Sequence, residues 1–134
     1  MIELRAHLTF RGECEAAFAF YAQCLGGEIT LMLKYGDSPA ATDVPPGWRE
    51  KIVHATMTIG DTTLSGADVP PDHYRPPQGF YLLLNTDEAE RIFNELADGG
   101  SVRMPLQKTF WSPAFGVVVD RFGVPWEVSS HQAI

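Results

Sequence analysis

Three side chains stand out as able to do chemistry: His7 in LRAHLTF, His54 in KIVHATMTI and Glu127 in PWEVSS. An imidazole titrates near neutral pH and can serve as acid, base or ligand contact. A glutamate inside a strand faces water, pairs with a partner or binds something, because burying it alone is costly. Around His7, the apolar Leu4, Ala6, Leu8 and Phe10 alternate with Arg5, His7 and Thr9. Around His54, the apolar Val53, Ala55, Met57 and Ile59 alternate with His54, Thr56 and Thr58. Strict alternation marks a strand with one buried face. The apolar sets suit a face under a helix, which leaves the polar sets on the other. There His54 either bonds to a neighbouring strand or contacts a ligand. His73, in PPDHYRPP, reads as surface loop.

Other chemistries find no support. No G-x-S-x-G, Walker loop or C-x-x-C occurs. Cys14 and Cys24 fall in one expected helix, about 15 Å apart at the usual rise per residue, too far for a disulfide. They read as buried thiols of a reducing compartment. The 134 residues fit one ordinary domain, and 17 acidic against 10 basic residues give a net charge of −7. That balance disfavours nucleic acid and anionic membranes and leaves cationic or neutral small molecules open. No apolar run approaches the roughly 20 residues that cross a bilayer. MIELRAHLTF runs straight into a strand pattern without a leader, so an intracellular, cytoplasmic protein is expected.

The elements that would position these residues come twice. A strand over 3–10 leads into a helix over 13–25, with Cys14, Ala17, Phe18, Tyr21 and Leu25 on one stripe, ended by Gly26 and Gly27. A strand over 80–85 leads into a helix over 87–98, opened by a capping box of Asp87 and Glu90 and ended by Gly99 and Gly100. Each glycine pair is followed by a further strand (28–35; 101–107) and then a two-stranded stretch turning at Gly60 or Gly123. The stretch GDSPAATDVPPGWRE reads as a loop, and DVPPDHYRPPQG joins the halves. The expected fold is α+β, with two βαβββ units in one domain: repeats of about 1–68 and 79–131, joined by a Pro-rich loop at 69–78.

The runs LTFRGECEAAFAFYAQCLGGEI, EKIVHATMTIGDTTLSGADVPP and MPLQKTFWSPAFGVVVDRFGVPWEVSS cover nearly the whole chain. They resemble the PhnB-like branch of the vicinal oxygen chelate superfamily, which includes glyoxalase I, extradiol dioxygenases, fosfomycin-resistance enzymes and bleomycin-resistance proteins. Some branch members carry a name implying a ubiquinone methyltransferase, but no glycine-rich loop opens a helix here.

The resemblance implies a cup whose metal ligands, where present, come from the first, fourth, fifth and eighth strands. The last ligand lies four residues after the glycine of a D-x-x-G turn. Asp120 to Gly123 is that turn, so Glu127 points into the cup. His7 is the first-strand candidate, yet counting back without a gap from Phe20 and Tyr21 places Ala6 there instead. A one-residue slip reverses the face. The fourth strand offers Ser65, with Asp68 already in the following loop; the fifth offers Tyr81, or Phe80 in the other register.

His7 and Glu127 are therefore metal candidates that fall short of the three ligands a catalytic centre usually needs. No cofactor is assigned, and a divalent metal stays open. His54 and Glu127 are the catalytic candidates, and His7, Thr56, Tyr81, Phe110 and Trp111 the pocket residues. The expected function is small-molecule binding or catalysis by a homodimer, with ligand sequestration like that of bleomycin-resistance proteins, or a metal-dependent lyase or dioxygenase reaction, as alternatives.

Overall fold

A flat sheet face accepts a helix closely only where a side chain makes room, and this chain does so with a glycine under each helix. The computed structural model describes residues 1–130; His131, the expected end of the second repeat, lies outside them. The chain divides into two compact units, Met1–Tyr74 and Arg75–Ile134, meeting inside the Pro-rich loop.

The first unit runs β1 (Ala6–Phe10), α1 (Cys14–Leu25), β2 (Glu28–Lys34), β3 (Ile52–Ile59) and β4 (Thr62–Asp68). Its sheet has the order β1-β4-β3-β2, with β1 parallel to β4 and the other pairs antiparallel. The α1 stripe is Cys14, Ala17, Phe18, Tyr21 and Cys24, all buried; Leu25, expected there, is only half-buried. Phe18 packs edge-on against Phe10 and lies over Gly66 of β4. Partners across a ladder share a face, so Leu8 and Ala55, both opposite Gly66, lie beneath the helix as well. The helix ends at Gly26 with φ 70°, a left-handed exit that glycine adopts without strain.

Sequence alternation extends β1 back to Glu3, whereas the ladder with β4 begins at Ala6. Alternation along one strand carries no information on where its partner starts. The stretch between β2 and β3, expected as loop, contains short 3-10 turns at Tyr35–Asp37, Pro39–Asp43 and Pro46–Trp48.

Asp68 is the last residue of β4 rather than part of the loop after it, and its side chain is 1% exposed. One carboxylate oxygen accepts the backbone N–H groups of Gly12 and Cys14, each at 2.9 Å. The other accepts the N–H of Ile52 at 2.9 Å. The backbone carbonyl of Asp68 takes the Tyr35 hydroxyl at 2.7 Å. A single residue thus ties the start of α1, the start of β3 and the chain leaving β2 to the end of β4.

The second unit repeats the plan: β5 (Leu82–Thr86), α2 (Ala89–Ala97), β6 (Ser101–Gln107), β7 (Phe115–Val119) and β8 (Pro125–Ser130), in the order β5-β8-β7-β6. Ala89, Ile92, Phe93 and Leu96 are the buried side of α2, and Phe93 lies over Gly116. The expected capping box does not form. The cap residue is Glu88, its side chain makes no capping bond, and Thr86 Oγ1 accepts the Glu88 N–H at 3.0 Å. A three-residue spacing fits a capping box only if the helix starts where the box requires, and α2 starts two residues later than expected.

The D-x-x-G turn is locked by Asp120. Its Oδ1 accepts the N–H groups of Phe122 and Val124, and its Oδ2 accepts the Trp126 indole N–H at 2.9 Å.

Two stability predictions follow from these contacts. A methyl group at residue 66 would lie 2.6 Å from the Phe18 ring, so Gly66→Ala is expected to cost about 1–3 kcal/mol by overpacking. Asp68→Asn replaces an acceptor of three N–H groups by an amide that must turn its own N–H toward them, at about 2–4 kcal/mol. Urea unfolding should show both as a lower midpoint with an unchanged slope; an unchanged midpoint for either would contradict the packing described.

Candidate functional site

Because Leu8, Ala55 and Gly66 lie under α1, their strand neighbours project from the opposite, helix-free face of the first sheet. His7, Ser65 and Thr56 form one row across β1, β4 and β3, since Ser65 is opposite His7 on one side and Thr56 on the other. His54 lies two residues from Thr56 on β3. Its ring is nearly parallel to that of His7, with centroids 6.0 Å apart and an interplanar angle of 18°. Ala6, opposite Leu64, is on the helix side.

His7 is exposed and His54 half-buried, while Ser65 is 2% exposed. Arg5 reaches over the row: Nη1 donates to Ser65 Oγ at 3.2 Å, and Nη2 meets Glu3 at 2.7 Å. Thr56 shares a hydrogen bond with Thr30 at 2.8 Å. Among the described residues neither imidazole is engaged in a hydrogen bond. Partial burial lowers the proton affinity of His7, and the nearby His54 lowers it further, as like charges side by side must. The Cys14 thiol is moved the other way: burial first, then the charges of Asp68 and Glu15, push it up beyond any physiological range. A thiol so held is inert, in keeping with its place under the helix.

The second unit carries the same register with different chemistry. Glu127 is flanked by Leu83 on β5 and Val117 on β7, the places that His7 and Thr56 take around Ser65. Glu127 is half-buried on the helix-free face; its neighbour Trp126, 3% exposed, points to the other side. Tyr81 precedes β5 and is exposed, and the fifth-strand position equivalent to His7 belongs to Leu83.

At the strand positions from which the resemblance draws metal ligands, the first unit carries His7 and Ser65 and the second carries Leu83 and Glu127. Leu83 has no donor atom, and Ser65 already accepts from Arg5. No group of three or more His, Cys, Asp or Glu able to hold a metal occurs among the described residues. Neither unit by itself offers the three ligands of a catalytic centre at these positions.

Phe110 and Trp111 lie in the turn after β6. Trp111 packs edge-on against Phe110 (4.7 Å) and Phe115 (5.1 Å), while Phe110 is 96% exposed. Residues 108–113 line an open concavity of about 480 Å³. Ser112 holds the turn through Ser129 and the Ala114 carbonyl.

Sequence reading missed the part of Arg5. Its alternation with His7 and Thr9 was visible, but the contact with Ser65 depends on the parallel pairing of β1 with β4, 60 residues apart.

Comparison with known proteins adds to the geometry. The family model described as the Glyoxalase/Bleomycin resistance protein/Dioxygenase superfamily matches residues 5–128. Protein YjdN of Escherichia coli (strain K12) is 34% identical, over 94% of this chain and 93% of its own. Among solved structures, protein PA1353 of Pseudomonas aeruginosa is 44% identical with a TM-score of 0.89, covering 99% of this chain and 100% of its own. A Bacillus cereus PhnB protein, described as a putative 3-demethylubiquinone-9 3-methyltransferase, is 27% identical with a TM-score of 0.77, covering 97% and 100%. With the fold, the repeated register and these matches together, the chain belongs to the glyoxalase/bleomycin resistance/dioxygenase superfamily and has PhnB-like relatives.

Proposed function

We propose that this protein binds a small organic molecule on the helix-free face of its first sheet, as a homodimer, with His54 as the proton-transfer group of that face. The carrying observation is the side-by-side pair of His7 and His54, unengaged in hydrogen bonds among the described residues, above a row of Ser65 and Thr56. A sheet face selected only for packing would be apolar. Two imidazoles without a hydrogen bond among the described residues, gathered beside the hydroxyls of Ser65 and Thr56, instead suit a surface that meets a ligand. Thr56 belongs to the lining, and in the second unit Glu127 stands where Ser65 stands in the first. Phe110 and Trp111 offer a second, aromatic surface for an apolar ligand body. Members of this superfamily commonly bind small molecules and are commonly dimeric.

Sequestration without chemistry needs no more than this and is the second reading; the imidazole pair favours neither over the other. A metal-dependent lyase or dioxygenase reaction is disfavoured by Leu83 and by the engaged Ser65 hydroxyl. The name carried by the Bacillus cereus relative is not adopted, since Gly26 and Gly99 end helices and cradle no cofactor phosphate.

Three measurements test the reading. Protein purified without chelators should contain far less than one equivalent of first-row metal; a stoichiometric metal that raises the melting temperature would restore the metalloenzyme. Light scattering should give twice the chain mass of 14.8 kDa, and a monomer at micromolar concentration would refute the dimer. A bound ligand at about 100 times its Kd should stabilise the fold by about 2.7 kcal/mol. That gain should fall away in the double variant His7→Gln with His54→Gln; an undiminished gain would move the site elsewhere.

A further inference from the structure

The net charge of −7 leaves cationic or neutral ligands open, but the groups on the helix-free face of the first sheet favour an anion. Arg5 contributes a guanidinium, His7 and His54 two imidazoles, and Ser65 and Thr56 two hydroxyls. Among the described contacts of this cluster the one carboxylate is that of Glu3, whose side chain is 62% exposed where it meets Arg5. We infer that the ligand recognised by this face presents an oxyanion, a carboxylate or a phosphoryl group, to Arg5, His7 and His54. The inference rests on the proposed ligand face and specifies the charge of what binds there.

Three features support it. An exposed ion pair is worth roughly 0–1 kcal/mol, so an incoming oxyanion displaces Glu3 at little cost and meets the same guanidinium fork. Arg5 is also positioned in advance, because its other nitrogen is held by Ser65, a buried residue in the middle of the ladder. Pre-ordering of this kind removes part of the entropy a ligand would otherwise have to overcome. Finally, the two ring centroids lie 6.0 Å apart, close enough for both imidazoles to donate to one anion, and an anion offsets the effect of His54 that disfavours the charged form of His7. The donor-rich character is not a property of the fold, since the same register in the second unit carries Leu83, Val117 and Glu127.

Titration with three probes of similar aromatic body tests the inference: phenyl phosphate, benzoate and benzyltrimethylammonium, at constant ionic strength, followed by the histidine ring proton resonances. At least one of the anions should shift the His7 and His54 signals saturably, and the cation should leave them in place. Loss of a charge-assisted hydrogen bond should weaken that binding by about tenfold or more in Arg5→Met and in His54→Gln. Both substitutions lie on the helix-free face, and an unchanged melting temperature will show that the variants are folded. Tighter binding of phenyl phosphate assigns a phosphoryl ligand; benzoate binding as well or better assigns a carboxylate. Saturable shifts with the cation alone overturn the charge class and leave the face as a ligand site. Anion binding that is unchanged in both variants overturns the face itself.

Discussion

The buried carboxylate of Asp68 is the constraint on which the first unit depends. A carboxylate 1% exposed survives in a protein interior only when its oxygens are fully used, and here both are used by backbone N–H groups of distant segments. Those bonds decide where α1 begins and where β3 enters the sheet. They hold the register of β1 on β4, with Phe10 opposite Asp68, and so decide that His7 is level with Ser65. Lys51, adjacent to one of the anchored amides, donates back to the Gly12 carbonyl at 3.0 Å and closes the same corner from the other side. The chemistry of the helix-free face is thus set from the end of one strand.

The second unit solves the same problem with different parts. At the place of Asp68 on β8 stands Ser130, whose hydroxyl accepts the Ala114 N–H at 3.1 Å, as Asp68 accepts that of Ile52. The buried carboxylate has moved to the turn, where Asp120 organises two amides and an indole. Each unit keeps the Phe-over-glycine contact that lets a helix approach its sheet, through Phe18 and Gly66 in one and Phe93 and Gly116 in the other. What differs is the face away from the helix. One unit bears imidazoles, hydroxyls and a guanidinium; the other bears Leu83, Val117 and a single carboxylate. Packing restrains the helix side of both sheets and leaves the other side free to specialise.

Bulk charge does not report the local make-up of such a face. A sum over 134 residues averages surfaces that a ligand never meets, whereas recognition depends on the few groups within hydrogen-bonding reach. The excess of acidic residues includes Glu3, Glu50, Glu88, Glu95 and Asp98, each engaged by a lysine or arginine at the surface. The donor cluster around His7 is compatible with that surplus because the two occupy different places.

Much of the architecture was legible in the residues. Helix stripes at spacings of three and four, glycine pairs at helix ends and alternating strands are local signals, and each depends on neighbours a few positions away. They placed both helices to within two residues and revealed the duplication. They also placed Trp126 and Glu127 on opposite faces, because alternation within one strand needs no partner. The errors had one origin. The extent of β1, the start of α2, the position of Asp68 and the fifth-strand residue equivalent to His7 all depend on where one segment meets another. Ladder register and the long-range bonds of Asp68 join segments dozens of residues apart, and no local pattern records them. The sequence by itself determined which residues could be helix, strand and polar face; only the tertiary structure decided that Arg5, His7, His54 and Ser65 stand together, because parallel pairing of β1 with β4 brings distant stretches into one row.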